Sequence, residues 1–186
     1  MTKEDIANYE ATERLRGDRL LTIRAVRPDD KGLVIEALPG VSAESVYRRL
    51  FTTKKGITDE GLRKITEVDF VTTVALVATL GKDDTEQLVG GGRYVRGDGS
   101  QRAEVAFLIE DAFQGLGIAP RIFKHLVAIA HESGIKEFEA EVLPTNEAML
   151  KVFTRSGIPV TRTVTRDSIH VLMDLTEEGK KRPVRG

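Results

Sequence analysis

The sequence contains no cysteine and only three histidines, at positions 125, 131 and 170. The absence of cysteine excludes disulfides, thiolate nucleophiles and cysteine-ligated zinc. The histidine spacing matches no standard metal-ligand pattern, so we expect no metal site. A chain without cysteine suits a reducing compartment, and the expected location is the cytoplasm.

Long apolar runs and an excess of one charge are also missing. No apolar run reaches the roughly 18 residues that a membrane-spanning helix needs, so we expect no membrane segment. The formal net charge of -1 gives no electrostatic reason to expect a nucleic acid or an anionic membrane as partner. The N-terminal segment mixes acidic and basic residues, unlike a secretory or transit signal.

The length and composition predict a single globular domain, since 186 residues with 40% hydrophobic content bury a sizeable core. We expect residues 1–18 to form an arm or a short helix, and 177–186 to form a flexible polar tail. The single domain then covers 19–176.

Hydrophobic periodicity predicts a mixture of strands and helices. The predicted strands are 20–27, 72–80, 86–96, 102–109, 136–143, 160–166 and 169–175. The predicted helices are 42–51, 58–69, 117–133 and 145–157. Three strands follow one another directly between 72 and 109, which favours an α+β fold over a repeating βαβ fold.

The segment FLIEDAFQGLGIAP, residues 107–120, joins a predicted strand to a predicted helix through two glycines. A helix N-terminus presents unpaired N–H groups and the positive end of the helix dipole, which together favour an anion. Pro120 lacks an N–H group, which is harmless only in the first turn, so the helix begins no earlier than about residue 117. The free amides are then those of residues 115 to 119.

From the residues alone, several interpretations of this loop stay open. A nucleotide triphosphate loop is disfavoured because the glycines are not followed by Lys and Ser or Thr. A dinucleotide loop is weaker because the third glycine is missing and three strands precede it. A plain strand-to-helix turn without a ligand is the remaining alternative.

The motif Gln114-x-x-Gly117-x-Ala119 resembles the Gln/Arg-x-x-Gly-x-Gly/Ala signature of the GNAT acetyltransferases. The similarity continues through EVLPTNEAMLKVFTRSGI at 141–158 and, more loosely, through IRAVRPDD and SAESVYRRLF. The last two segments resemble the bacterial Pat-type protein-lysine acetyltransferases, which switch off acyl-CoA synthetases. The resemblance implies a GNAT-type mixed, mainly antiparallel central sheet flanked by helices and splayed between the fourth and fifth predicted strands.

The resemblance also implies acetyl-CoA as the cosubstrate and assigns residues to it. The fourth predicted strand, 102–109, is expected to carry a bulge and to offer its main chain to the pantetheine arm. The loop amides are expected to hold the diphosphate. The predicted cofactor-binding residues are Phe107, Leu108, Ile109, Gln114, Gly115, Leu116, Gly117, Ile118, Ala119, Asn146 and Phe153.

Amine acetylation needs a neutral nucleophile, and a lysine with a pKa near 10.4 is charged at pH 7. A general base is the usual remedy. Glu104 shares one strand face with Ala106 and Leu108, and partial burial there is expected to raise its pKa. A solvated glutamate is the alternative; in the Pat-type enzymes that the chain resembles, a glutamate on this strand is the catalytic base.

Phe153 stands where many GNAT proteins have a tyrosine that protonates the leaving thiolate. Phenylalanine donates no proton, but a thiol pKa near 8.5 lets water suffice. Pat-type enzymes commonly lack this tyrosine, so the substitution agrees with the resemblance.

The predicted function is acetyl-CoA-dependent acetylation of a protein lysine, with an acyl-CoA synthetase as the expected partner. A GNAT enzyme for a small amine (polyamine, amino acid or antibiotic) and a non-catalytic acyl-CoA-sensing module are the alternatives. Tyr47 either lines an acceptor groove or packs in the core. The basic residues near it, Arg48, Arg49, Lys54 and Lys55, form either a docking patch for a protein substrate or a solvated helix end. Monomer and dimer both stay open.

Overall fold

The computed structural model describes residues 1–41 and 57–176. The predicted helix at 42–51, Tyr47 and the basic residues near it therefore lie outside the described residues. The helices are α1 (Lys3–Ala7), α2 (Lys31–Ala37), α3 (Asp59–Thr66), α4 (Ile118–Glu132) and α5 (Glu147–Thr154). The strands are β1 (Glu10–Arg14), β2 (Leu20–Ala25), β3 (Thr73–Leu80), β4 (Gln87–Arg96), β5 (Arg102–Ile109), β6 (Glu137–Val142), β7 (Val160–Val164) and β8 (Ile169–Asp174).

The strands form one eight-stranded sheet in the order β1-β2-β3-β4-β5-β6-β8-β7. Neighbouring strands are antiparallel except β5 and β6, which are parallel. The seven predicted strands and the mixed α+β architecture are therefore confirmed.

The parallel pair separates soon after it begins. Pairing runs from Arg102 opposite Glu137 to Glu104 opposite Glu139, whereas β5 continues to Ile109 and β6 to Val142. The sheet is thus splayed between β5 and β6, which are the fourth and fifth strands predicted from the sequence. An opening of this kind leaves the β5 edge beyond Glu104 available to a ligand.

Two features differ from the predictions. The N-terminal segment contributes α1 and also β1, which extends the sheet by pairing Glu10–Arg14 with β2. The bulge expected in β5 is absent from the described register, which runs without a shift from Arg96 opposite Ala103 to Gly90 opposite Ile109. A register shift occurs instead between β3 and β4, beside Gly90, because Ala78 and Thr79 face Gly90 and Leu88 and skip Val89. Glycine has the conformational freedom that such an irregularity needs.

Apolar side chains cover both faces of the sheet. On one face, α4 buries Ile122, Leu126 and Ile129 against the main core. On the other face, a second cluster packs α2 and α3 through Val34 and Leu62 onto the strands. Within the described residues no helix is long and apolar enough to cross a membrane.

A buried ion-pair network fixes the entrance to α2. The Arg24 side chain is 3% exposed and donates to Asp30 at 2.8 and 2.9 Å and to Glu86 at 3.1 Å. Burial alone lowers the pKa of Arg24, but its two carboxylate partners more than offset this and raise it. The network ties β2 to the turn before α2 and to the segment before β4.

Candidate active site

The glycine loop leads into α4 as the sequence predicts. Gly117 is the N-cap with φ of 78°, α4 begins at Ile118, and Pro120 is the third helical residue. Gly115 also has a positive φ, 76°. Both glycines are therefore in the left-handed region, which other residues enter only at a cost.

The loop offers a run of amides without protein acceptors. Among the described residues, the amides of 115 to 117 donate to no backbone carbonyl outside the regular elements. The amides of Ile118 and Ala119 lie in the first helical turn, where no intrahelical acceptor exists. Successive amides around left-handed residues form an anion-binding concavity. The loop thus suits a diphosphate.

A cleft of about 1080 Å³ opens in front of this loop. Its walls come from the C-terminal half of β5, the start of α4, and α5 with its flanking residues. The predicted cofactor-binding residues that line it are Phe107, Leu108, Ile109, Gln114, Gly115, Gly117, Ile118, Ala119 and Asn146. Its size suits a long ligand with a diphosphate at one end, such as acetyl-CoA.

Two predicted cofactor-binding residues lie outside the cleft lining. Leu116 is half-buried and packs on the main core. Phe153 is 1% exposed, and its ring centroid lies 6.1 Å from that of Phe107 and 5.4 Å from that of Phe123. Phe153 therefore supports the cleft from behind, through Phe107, and does not face it.

Two other predicted residues make local hydrogen bonds. Asn146 caps α5 by accepting from the Met149 amide at 3.1 Å. The Gln114 side-chain amide donates to Asp111 at 2.9 Å, which braces the glycine loop. Both side chains thus shape the cleft as well as line it.

Sequence reasoning did not identify the basic side chains of the cleft. Lys124 on α4, Lys151 on α5 and Arg155 just after α5 line it. Lys151 donates to Glu147 at 3.1 Å, one helical turn away. These cations favour the phosphates of a nucleotide cofactor. Only the packing of α5 beside α4 brings these three cations together, so their spacing in the sequence does not predict the cluster.

Glu104 lies at the point where the sheet splits. Its Cα is opposite Val95 on β4 and opposite Glu139, in the last pair before β5 and β6 separate. The residue is exposed, so the partial burial expected from the sequence is not present. Ala106, two residues along the same face, is half-buried and small, which leaves space beside the carboxylate.

The same face continues onto β6 and β8 with further polar residues. Glu139 and Glu141 share the face of Glu104, and His170 is opposite Glu141. The His170 ring lies 2.7 Å from Glu141 and 3.9 Å from Glu139. Hydrogen bonds from Ser168 and then His170 lower the pKa of Glu141, although burial opposes the shift. The carboxylates of Glu139 and Glu141 therefore flank Glu104, and the Arg102 guanidinium lies 3.8 Å from Glu139.

The other two histidines lie on α4, away from this surface. His125 contacts the hydroxyl of Tyr9 and lies 3.2 Å from Glu13. Burial and then Glu13 raise the pKa of Tyr9. His125 thus attaches the N-terminal segment to α4. The described residues contain no group of three His, Asp or Glu able to hold a metal ion.

Comparison with known proteins gives the family. The model of the acetyltransferase (GNAT) domain matches residues 20–158. The acetyltransferase Pat of Mycolicibacterium smegmatis is 33% identical over 136 residues, which are 73% of this chain and 40% of that protein. An acetyltransferase of Pseudomonas aeruginosa is 26% identical over 74% of each chain. The chain thus spans less than half the length of the Pat relative.

Comparison with solved structures supports the same family. The GNAT domain of S. lividans PAT superposes with a TM-score of 0.76 at 34% identity, covering 89% of this chain and 96% of that one. The yncA protein of Salmonella typhimurium, solved with its cofactor acetyl-CoA, shares the fold with a TM-score of 0.63 at 18% identity, over 84% and 95% of the two chains. The chain therefore belongs to the GNAT acetyltransferase family, as a Pat-like member.

Proposed function

We propose that this protein transfers an acetyl group from acetyl-CoA to the side-chain amine of a lysine on a protein substrate. The proposal is carried by the amides from 115 to 119, which lie at the head of a cleft and have no acceptor among the described residues. This cleft opens where β5 leaves β6, and Glu104 lies at the start of that opening.

The proposed cofactor site uses main chain more than side chains. The amides of residues 115 to 119 hold the diphosphate, because a helix N-terminus and two left-handed glycines direct several N–H groups to one point. Lys124, Lys151 and Arg155 supply positive charge around the phosphates. The edge of β5 from Phe107 to Ile109, beyond the residues that pair with β6, accepts the pantetheine arm as an added strand, and Asn146 faces it from the start of α5.

Glu104 is the proposed general base. At pH 7, supplying a neutral amine from a lysine of pKa near 10.4 costs about 4 to 5 kcal/mol. Glu104 takes the amine proton as the nitrogen bonds to the acyl carbon and the carbon–sulfur bond breaks. The thiolate leaves and takes its proton from water, since Phe153 has none to give and its ring is buried.

A protein lysine is favoured as acceptor by the family resemblance. The chain is similar to the acetyltransferase Pat, and its likeness to Pat-type protein-lysine acetyltransferases makes an acyl-CoA synthetase the expected substrate. The carboxylates of Glu139 and Glu141 beside Glu104 attract a cationic amine, which suits both a protein lysine and the alternative of a small polyamine. The proposed location is the cytoplasm, because a chain without cysteine suits a reducing compartment.

The test is acetylation of a purified acyl-CoA synthetase by the purified protein with acetyl-CoA, with the modified lysine located by mass spectrometry. We expect one or a few lysines to be acetylated by the wild type. Glu104→Ala is expected to lower the rate at least about 100-fold, as loss of a general base does. Glu60→Ala is the matched control, because it removes an exposed glutamate on α3 whose ion pair with Lys64 is solvated and which is not part of the cleft lining.

The alternatives predict different results. Rapid acetylation of a small amine with an unmodified synthetase favours the small-amine enzyme. Tight acetyl-CoA binding without turnover on any amine favours a sensing module. Equal rates for Glu104→Ala and the wild type contradict Glu104 as the base.

A further inference from the structure

A second cavity lies on the opposite face of the sheet from α4. It has a volume of about 120 Å³, is partly open, and is lined by Val26, α2, the Leu38–Val41 segment, Ile65 of α3 and strands β3 to β5. Its lining is almost wholly aliphatic, with Arg93 and Glu110 as the charged residues among those described. An engineered apolar cavity of about 150 Å³ holds benzene, so this one suits a chain of about four carbons.

The strand β5 is a wall shared by this cavity and the cofactor cleft. Phe107 and Leu108 line both. Ala106 lines only the second cavity and shares the strand face of Glu104. Glu104 precedes Ala106 by two residues on this strand face, so the Ala106 end of the cavity is the end nearer to Glu104.

The glycines of β4 make the space. Gly91 is opposite Leu108 on β5 and Val77 on β3, and all three line the cavity. A side chain at Gly91 would start only 3.0 Å from the Leu76 carbonyl oxygen. The absence of a side chain at Gly91 thus leaves space beside β5 on this face of the sheet.

Glu110 lies at the end of the cavity away from Ala106. It follows β5 on the same face as Ala106, and its Oε2 atom is shielded from solvent without a hydrogen-bond partner among the described residues. A carboxylate in an apolar enclosure opposes a second negative charge. This end therefore admits a methyl terminus and rejects an acyl group that ends in a carboxylate.

We propose that this cavity binds the acyl chain of the donor, so that the protein uses short unbranched acyl-CoA thioesters of about four carbons better than acetyl-CoA. The proposal rests on the proposed acyl transfer from CoA in the neighbouring cleft. Each added methylene that enters the cavity is expected to increase affinity about fourfold.

Calorimetry with the full chain tests the proposal, using CoA and its acetyl, propionyl, butyryl, hexanoyl and succinyl thioesters. We expect butyryl-CoA to bind about 15-fold more tightly than acetyl-CoA, since it adds two methylenes. Succinyl-CoA has the same carbon number but a terminal carboxylate, and it is expected to bind at least about tenfold more weakly than butyryl-CoA. Glu110→Gln should reduce that difference.

Two substitutions test the walls in opposite directions. Ala106→Val narrows the cavity and is expected to abolish the preference for butyryl over acetyl. Val77→Ala widens it and is expected to move the best chain length upward by about one carbon, a gain that misfolding does not produce. Ala11→Val, also half-buried but in the edge strand β1, is the matched control and should keep the wild-type preference.

The outcomes separate the two proposals. If acetyl-CoA binds but affinity does not depend on chain length, the acyl cavity is wrong and the cofactor site stands. If the preference for butyryl is found but no lysine is acylated, the cavity is supported and the proposed function fails. If no CoA compound binds, both fail. If Ala106→Val changes only the KM of the amine, the cavity holds the acceptor and our assignment is overturned.

Discussion

A comparison of two single variants, Gly115→Ala and Gly134→Ala, tests the diphosphate site directly. The two glycines have nearly the same backbone, with φ of 76° and 74°. A Cβ at either position meets no atom within 4 Å. Gly115 lines the cofactor cleft, whereas Gly134 follows the opposite end of α4. The pair therefore differs in position but not in intrinsic backbone strain.

The expected magnitudes follow from these facts. Placing alanine in the left-handed region costs about 1 to 2 kcal/mol, so both variants should lose this much stability. In a chain of this length, each 1 kcal/mol lowers Tm by about 2–4 °C. A methyl group in the concavity also displaces a phosphate from at least one amide. A hydrogen bond to a charged group contributes about 1.5–3 kcal/mol, which corresponds to about 10- to 150-fold in Kd.

The assays are urea unfolding for stability and calorimetry for acetyl-CoA binding. We expect equal destabilisation of the two variants and weaker binding for Gly115→Ala alone. Wild-type affinity in Gly115→Ala would refute a phosphate at this loop. Equal losses of affinity in both variants would show that binding responds to general destabilisation, which would also contradict the reasoning.

Three further predictions concern stability and pH. Asp30→Ala leaves the buried Arg24 guanidinium without its main partner and should lower the free energy of unfolding by about 3–5 kcal/mol in urea titration. Burial opposes the shift at Asp69, but four hydrogen bonds from residues 71–73 lower its pKa to about 2. The stabilisation by this carboxylate is therefore present above its unfolded pKa of 3.8 and lost as the pH falls toward 2. Because Asp69 is exposed and solvent screens its charge, we expect this stabilisation to be about 1 kcal/mol. The stability of Asp69→Asn should therefore match that of the wild type only near pH 2. Glu104→Gln should lower kcat about 10²- to 10⁴-fold at pH 7, with the rate rising about tenfold per pH unit toward the pKa of the amine.

Each of these has a contrasting control. Glu10→Ala breaks an exposed ion pair of 3.3 Å and should change stability by less than about 1 kcal/mol. If Glu10→Ala and Asp30→Ala lost similar amounts of unfolding free energy, the inference that burial strengthens the Arg24–Asp30 ion pair would be wrong. A constant difference between Asp69→Asn and the wild type from pH 7 to pH 2 would contradict the hydrogen-bond account. A flat pH profile for Glu104→Gln would contradict its role as a base.

Local sequence determined most of the elements and the position of the loop amides. Strand and helix periodicities were sufficient because each depends on neighbouring residues, and α4 begins within a residue of the position that Pro120 imposes. The strand β1 was missed because Glu10–Arg14 has a weak apolar alternation, and its conformation depends on pairing with β2.

Tertiary structure decided which of these residues meet. The exposure of Glu104, the burial of Phe153 and the gathering of Lys124 and Arg155 around one cleft depend on how far β5 and β6 diverge and where α5 packs. The cavity behind β5 likewise depends on segments distant in sequence. A pattern of residues specifies the local hydrogen bonds of a segment, whereas burial and cavity shape are sums over contacts between segments, and only the assembled sheet fixes those contacts.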